Sequence, residues 1–285
     1  MTRRVALVGK PLRRRHSVVM HNAAFAAAGI DAEYVLREIE PDAVADAVRE
    51  ARGPGWLGLG VTAPYKPLVA SLVDEVDGDA RVIGAVNNVV RTHDGRLIGF
   101  NSDAPGFREG VELALGRPIA GLDTVVIGAG GAAHAVVFAL LRAGAARVTV
   151  ANRTTARAAS LLARLGDVGW GQRVAIGLDG PELAVALRGA DLAVNATTVG
   201  MVDPGSSIDV SLLPGTATVF DCVYVPAETP LLATARARGL RAANGSEMLI
   251  AQAAIAFQRW TGIGGMADVM RRAVAPLLAD AAVVA

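Results

Sequence analysis

Short β-rich apolar runs alternate with stretches of helical period along most of the chain, the sequence sign of an α/β protein with mostly parallel sheets. The first third reads as strand 4–8, helix 18–28 closed by Gly29, strand 32–36 and helix 42–51. Gly53-Pro54-Gly55 breaks that helix, and Trp56–Val61 follows as a strand. Runs 88–91 and 96–100 flank Thr92-His93-Asp94-Gly95, whose Asp-Gly marks a tight hairpin, so the pattern predicts a sheet with an antiparallel edge. A helix over 105–115 leads to Gly116 and Pro118. The run 124–127, helix 131–143, strand 147–151 and helix 155–165 then form βα units, followed by strands near 173–176, 192–195 and 219–223. Apolar positions recur on a helical period from Glu247 to Trp260. The expected architecture is a two-domain α/β protein. Residues 1–104 and 245–285 form a discontinuous substrate domain, residues 105–244 form a doubly wound Rossmann-type domain, and a cleft separates them.

Composition narrows the partners. A formal net charge of +1 gives no global field to recruit nucleic acid or an anionic membrane. No apolar stretch approaches a membrane span. Lys10 and Arg13-Arg14-Arg15 follow the first apolar run too soon for an export signal, so a cytoplasmic protein is expected. The three arginines read as a solvated loop or a small-anion site rather than a nucleic-acid patch. The single cysteine, Cys222, cannot form an internal disulfide, and its apolar neighbours suggest a buried strand position. His16, His21, His93 and His134 have no metal-ligand spacing, so no metal is expected. The sequence leaves a homodimer open.

The strongest chemical signal is Gly128-Ala129-Gly130-Gly131-Ala132-Ala133, which follows a strand and opens a helix. In G-x-G-x-x-[G/A], Gly128 makes the tight turn, Gly130 lets a pyrophosphate approach the backbone, and Ala133 lets helix and strand pack closely. The free N–H groups of the helix start, at Gly131 and Ala132, suit a diphosphate. The next strand ends in Asn152-Arg153-Thr154, with Arg157 one turn on and no acid between Arg147 and Gly166. An acid there would accept from a ribose 2′-hydroxyl. Arginines and a threonine suit a 2′-phosphate instead, so NADP is expected.

Val61-Thr62-Ala63-Pro64-Tyr65-Lys66 puts a lysine after a strand, in a loop shaped by Pro64 and Pro67. Gly84-Ala85-Val86-Asn87 and Asn101-Ser102-Asp103 supply polar groups at two further turns. Oxidising an alcohol needs a hydride acceptor and a group that takes the hydroxyl proton, and a lysine biased by an aspartate can do the second task.

These motifs resemble the shikimate dehydrogenase family over nearly the whole chain. So do Gly9-Lys10-Pro11 through Ser17, His21-Asn22-Ala23-Ala24-Phe25, Asn195 through Met201, Tyr224-Val225-Pro226, Thr229-Pro230-Leu231 and Gly245 through Ala253. The resemblance implies NADP-linked oxidoreduction of a ring hydroxyl on a small cyclic polyol carboxylate, in aromatic amino acid biosynthesis. It implies Lys66 and Asp103 as the catalytic pair, and Ser17, Thr62, Asn87, Gln252 and Tyr224 at the substrate. It also implies Gly128, Gly130, Gly131, Ala132, Asn152, Arg153, Thr154, Arg157 and Thr197 at the cofactor.

The chain departs from the pattern in several places. Arg15 stands for one of two usual serines and is expected to take over carboxylate recognition; Gly60 stands for an asparagine and is expected to leave room for it. Asn88, Ala104, Asn244 and His134 also differ from the usual residues. Two other readings stay open: a dehydrogenase for a different ring substrate on the same scaffold, and a dinucleotide-binding regulator without catalysis.

Overall fold

The computed structural model describes residues 2–12, 15–201 and 205–280. Arg13 and Arg14 of the triple arginine lie outside the described residues. The chain forms two compact units. The first holds the chain up to Ser102 together with Ile250–Leu277. The second holds Asp103–Leu249 and the few described residues after Leu277.

In the first unit the order is β1 (Arg3–Gly9), α1 (His16–Ala27), β2 (Ala32–Glu38), a 3₁₀ turn (Pro41–Ala43), α2 (Val44–Glu50), β3 (Trp56–Val61), α3 (Lys66–Ala70), β4 (Glu75–Val76), α4 (Gly78–Ile83), β5 (Asn88–Arg91) and β6 (Leu97–Phe100). The sheet runs β2-β1-β3-β5-β6-β4. Its ladders are parallel except where β5 pairs with β3 and β6. The antiparallel strand therefore lies inside the sheet, not at its edge as the hairpin pattern suggested. The two-residue β4 takes the edge, too short to leave a period in the sequence.

The second unit runs α5 (Asp103–Leu115), β7 (Asp123–Ile127), α6 (Gly131–Arg142), β8 (Arg147–Ala151), α7 (Thr155–Arg164), β9 (Gln172–Ile176), α8 (Pro181–Arg188), β10 (Leu192–Asn195), a 3₁₀ turn (Val210–Leu212), β11 (Thr218–Asp221), α9 (Pro230–Ala237) and β12 (Arg241–Asn244). Its sheet, β12-β11-β10-β7-β8-β9, is parallel throughout. That is the doubly wound order, with a topological switch between β7 and β10, where ligands bind beyond the carboxyl ends of the strands. Helix α10 (Ser246–Thr261) begins in this unit and continues in the first, where α11 (Ala267–Asp280) follows.

Each sheet is buried on both faces, as parallel sheets require. In the first unit Ala6, Val8, Leu59 and Val61 pack with Val44, Ala47, Val48 and Val69 of α2 and α3. The opposite face carries an aromatic layer from α1 and α10, with Phe25 and Phe257 at 5.1 Å and His21 and Trp260 at 5.1 Å. In the second unit Val125, Ala193 and Val219 pack with Leu187, Leu231 and Leu232 of α8 and α9. Phe107 of α5 meets Phe220 edge-on at 5.4 Å. No described helix is long and apolar enough to cross a membrane.

Candidate functional site

The candidate substrate residues of the first unit gather at the carboxyl ends of β1 and β3. Thr62 continues β3 and donates its N–H to Val8 O at 2.9 Å. A Cβ at Gly9 would run into Thr62 Cγ2, so only glycine lets β1 pass that close. Lys66 is half-buried and opens α3, and Lys66 O accepts from Val86 N at 3.2 Å. It is the first residue of a helix rather than part of a loop. Pro67, read as a loop former, sits in the first turn, where proline is favoured because its missing N–H would have no partner there. Tyr65 of the same motif is buried, and its hydroxyl donates to Ile39 O at 2.7 Å.

Asn87 ties three ends together. Val61 N donates to Asn87 O at 2.8 Å and Asn87 N to Phe100 O at 3.2 Å. Its side-chain Oδ1 accepts from Ser102 N at 2.8 Å and from Asn88 Nδ2 at 2.9 Å, while Nδ2 donates to Ser102 Oγ at 3.2 Å. Asn88, one of the departures from the family pattern, also donates to Ser102 Oγ at 2.9 Å. Ser102 is thus a positioning group that the sequence reading named in a motif but gave no role.

Ser17 and Gln252 are half-buried on α1 and α10. Arg15 is exposed, immediately before α1. The room expected at Gly60 is taken: a Cβ there would stand 2.5 Å from Tyr34 Oη and 3.1 Å from Leu7 Cδ1.

The second unit builds its site at the switch point. Gly128, at φ +113°, turns the chain out of β7, and a Cβ there would stand 2.9 Å from Thr197 Cγ2 and 3.0 Å from Ala196 O. At Gly130 and Gly131 a Cβ would meet nothing within 4 Å, which leaves the backbone open to a ligand. Helix α6 starts there with no side-chain cap, so its first N–H groups and the positive end of its dipole are available to an anion. Arg153, Thr154 and Arg157 are exposed at the end of β8 and the start of α7, and Asn152 is half-buried. Thr154 is the N-cap of α7 yet makes no side-chain cap bond, leaving its hydroxyl for another acceptor or donor. The residues fit a dinucleotide carrying an extra phosphate: an open glycine turn, two arginines and no acid between Arg147 and Gly166.

Thr197 is held by a buried polar network. Asn195 Oδ1 accepts from Thr197 N at 3.1 Å and Oγ1 at 2.7 Å. Asn195 Nδ2 donates to Asp221 Oδ1 at 2.9 Å, and Thr229 Oγ1 donates to Asp221 Oδ2 at 2.7 Å. Val223 N adds a 3.0 Å bond to Asp221 Oδ1. Burial raises the Asp221 carboxyl above its ordinary range despite these donors. The sequence reading missed Asp221 and Thr229 as supports, although an acid closing an apolar strand was a visible signal.

Asp103 is buried as the first residue of α5, where a carboxylate complements the helix dipole. It lies near Cys222, whose thiol is pushed up by burial, then by Asp221 and Asp103. Cys222 itself is half-buried and follows β11 instead of lying within it. Tyr224 is half-buried two residues on. Among the described residues no three His, Cys, Asp or Glu side chains group to hold a metal.

Three family models match the chain in succession. The shikimate dehydrogenase substrate binding domain covers residues 7–89, shikimate / quinate 5-dehydrogenase residues 113–199, and the shikimate 5'-dehydrogenase C-terminal domain residues 245–275. The chain is 42% identical over 275 residues to the shikimate dehydrogenase (NADP(+)) of Geobacter metallireducens, covering 96% of each. It resembles the crystal structure of the Thermus thermophilus shikimate 5-dehydrogenase in complex with NADP(H) and shikimate, with a TM-score of 0.83 and 37% identity over 95% of this chain and 99% of that one. It also resembles the quinate dehydrogenase of Corynebacterium glutamicum in complex with NAD, with a TM-score of 0.89 and 35% identity over 96% and 99%.

Proposed function

The chain belongs to the shikimate dehydrogenase family, and on that footing we propose that it is an NADP-dependent oxidoreductase interconverting a ring hydroxyl and a ketone on shikimate. The observation that carries the reading is the switch-point crevice of the second unit. It is open over Gly130 and Gly131, and the strand that follows ends in Arg153 and Arg157 with no acid. Gly128, Gly130, Gly131, Ala132 and Thr197 hold the dinucleotide, and Asn152, Arg153, Thr154 and Arg157 hold its adenosine phosphate. When bound, NADP supplies the hydride acceptor.

Lys66 and Asp103 are the acid–base residues of this reading. Lys66 takes the substrate hydroxyl proton at Nζ during oxidation and returns it during reduction. Thr62, Asn87, Ser17, Gln252 and Tyr224 orient the ring, and Arg15 meets the carboxylate with a charged, two-pronged donor where a serine would offer a neutral one. The reading includes a cytoplasmic location.

The test is Lys66→Ala under steady-state conditions. Turnover should fall about a hundredfold or more while the affinity for NADP, followed by fluorescence, stays nearly unchanged. A variant that keeps most of its turnover would overturn the assignment.

A further inference from the structure

Tyr34 sits at the level of Val5 in the β1–β2 ladder, while Gly60 sits at the level of Leu7 in the β1–β3 ladder. The Tyr34 side chain therefore crosses β1 diagonally toward the carboxyl end of the sheet. It ends with its hydroxyl in the space a Cβ at Gly60 would fill, 2.5 Å from that position. Gly60 is one same-face step below Thr62 on β3, roughly 6–7 Å along the strand.

Two other elements repeat this layering. Ser17 of α1 lies one turn from His21 on the same face, and Gln252 of α10 lies two turns from Trp260. His21 stacks on Tyr34 with centroids 4.4 Å apart at 23°, and Trp260 lies 5.1 Å from His21 and 6.0 Å from Tyr34. The layer His21–Tyr34–Trp260 is thus the floor beneath Ser17, Thr62 and Gln252.

This floor is built to hold one ring in one position. Asn22 clamps the Tyr34 backbone from both sides: Tyr34 N donates to Asn22 Oδ1 at 2.7 Å, and Asn22 Nδ2 donates to Tyr34 O at 3.0 Å. Trp260 is pinned by its Nε1 donating to Val89 O at 2.9 Å, and a Cβ at Gly58 would stand 2.8 Å from that nitrogen. Tyr34 is 3% exposed, yet among the described residues nothing bonds its hydroxyl. His21 Nδ1, beside it, is buried without a hydrogen-bond partner, whereas the Tyr34 hydroxyl is not among the fully buried unpartnered atoms, so part of it stays within reach of a ligand. Burial raises the Tyr34 phenol, keeping its proton available to donate.

We propose that Tyr34 is a specificity-determining residue of the substrate site, its hydroxyl bonding a ring hydroxyl of the substrate from below Thr62, with His21 and Asn22 as its positioning residues. The proposal rests on the reading of the chain as a shikimate dehydrogenase. Gly60 is what admits it, because any side chain there would displace the phenol.

The test compares wild type, Tyr34→Phe and Gly60→Ala on shikimate and on analogues each lacking one ring hydroxyl, with folding checked by circular dichroism. Tyr34→Phe should raise the KM for shikimate about tenfold, the scale of one neutral hydrogen bond, with kcat and the KM for NADP little changed. The penalty should vanish for the one analogue lacking the hydroxyl that Tyr34 meets, and Gly60→Ala should show the same selectivity. An unchanged KM, or an equal loss on every analogue, would overturn the proposal while leaving the dehydrogenase reading intact. A wild type inactive on shikimate would overturn both.

Discussion

The side chain of Asn87 bonds Ser102 twice, accepting from its backbone N–H at 2.8 Å and donating to its hydroxyl at 3.2 Å. Both residues are buried, so the pair fixes the end of β6 against the turn that enters β5. Asn87→Ala leaves the buried Ser102 N–H without a partner and removes one of the two donors to its hydroxyl, which keeps only Asn88, and should cost roughly 1–3 kcal/mol in urea unfolding. Activity should fall as well, because the backbone of the same turn reaches Lys66 through Val86. A variant as stable as wild type would show that the double bond contributes nothing.

Asp221 offers a separation of charge from hydrogen bonding. Its carboxyl is raised from 3.8 by burial, so the fold favours the protonated acid. The stability this lends is full below 3.8 and is lost as pH rises through the higher folded value. Asp221→Asn can keep the bonds from Asn195 and Val223 and donate to the Thr229 hydroxyl, without the buried charge. Its melting temperature at neutral pH should equal or exceed that of wild type. Asp221→Ala, which orphans three donors, should lose roughly 3 kcal/mol or more. Equal destabilisation by both variants would contradict this account.

His21 behaves in the opposite sense. Burial lowers its imidazole from 6.5 to about 3, so the fold holds it neutral. The stability this gives is intact above 6.5 and is lost as pH falls toward 3, amounting to up to about 5 kcal/mol. His21→Phe keeps a ring against Tyr34 and removes the proton site. Urea unfolding between neutrality and pH 4 should therefore show a shallower acid limb for the variant, and matching limbs would count against a neutral buried His21.

Arg153 stands exposed at the end of β8 beside Thr154, whose hydroxyl makes no cap bond. Arg153→Ala should lower kcat/KM with NADP about tenfold or more and leave the value with NAD nearly unchanged, as loss of a charge-assisted phosphate contact requires. An equal loss with both cofactors would assign Arg153 a structural role.

How much of this was legible depended on whether a signal was local. Trp56–Val61, Arg147–Ala151 and Leu192–Asn195 match the strands read from the sequence residue for residue, because each is a short apolar run between clear turn residues. Helix α3 escaped notice because Pro67 was read as a loop former, though proline in the first helical turn is a start signal, and the same signal at Pro230 opens α9. Helix α11 escaped because Pro276 interrupts its period. The glycine turn after β7 was readable because its chemistry is contiguous in sequence. The filling of the Gly60 space by Tyr34 was not, since it depends on a side chain crossing from another strand. Gly60 shows in the sequence only that a side chain is missing; that the space is filled from β2 depends on the Tyr34 phenol, which no local signal at Gly60 carries.

Initial rates of the purified wild-type chain with shikimate, followed at the nicotinamide absorbance with NADP and NAD in parallel, should show reversible oxidation of shikimate with a higher kcat/KM for NADP than for NAD. No turnover of shikimate with either cofactor, or a clear preference for NAD, would contradict the proposed function.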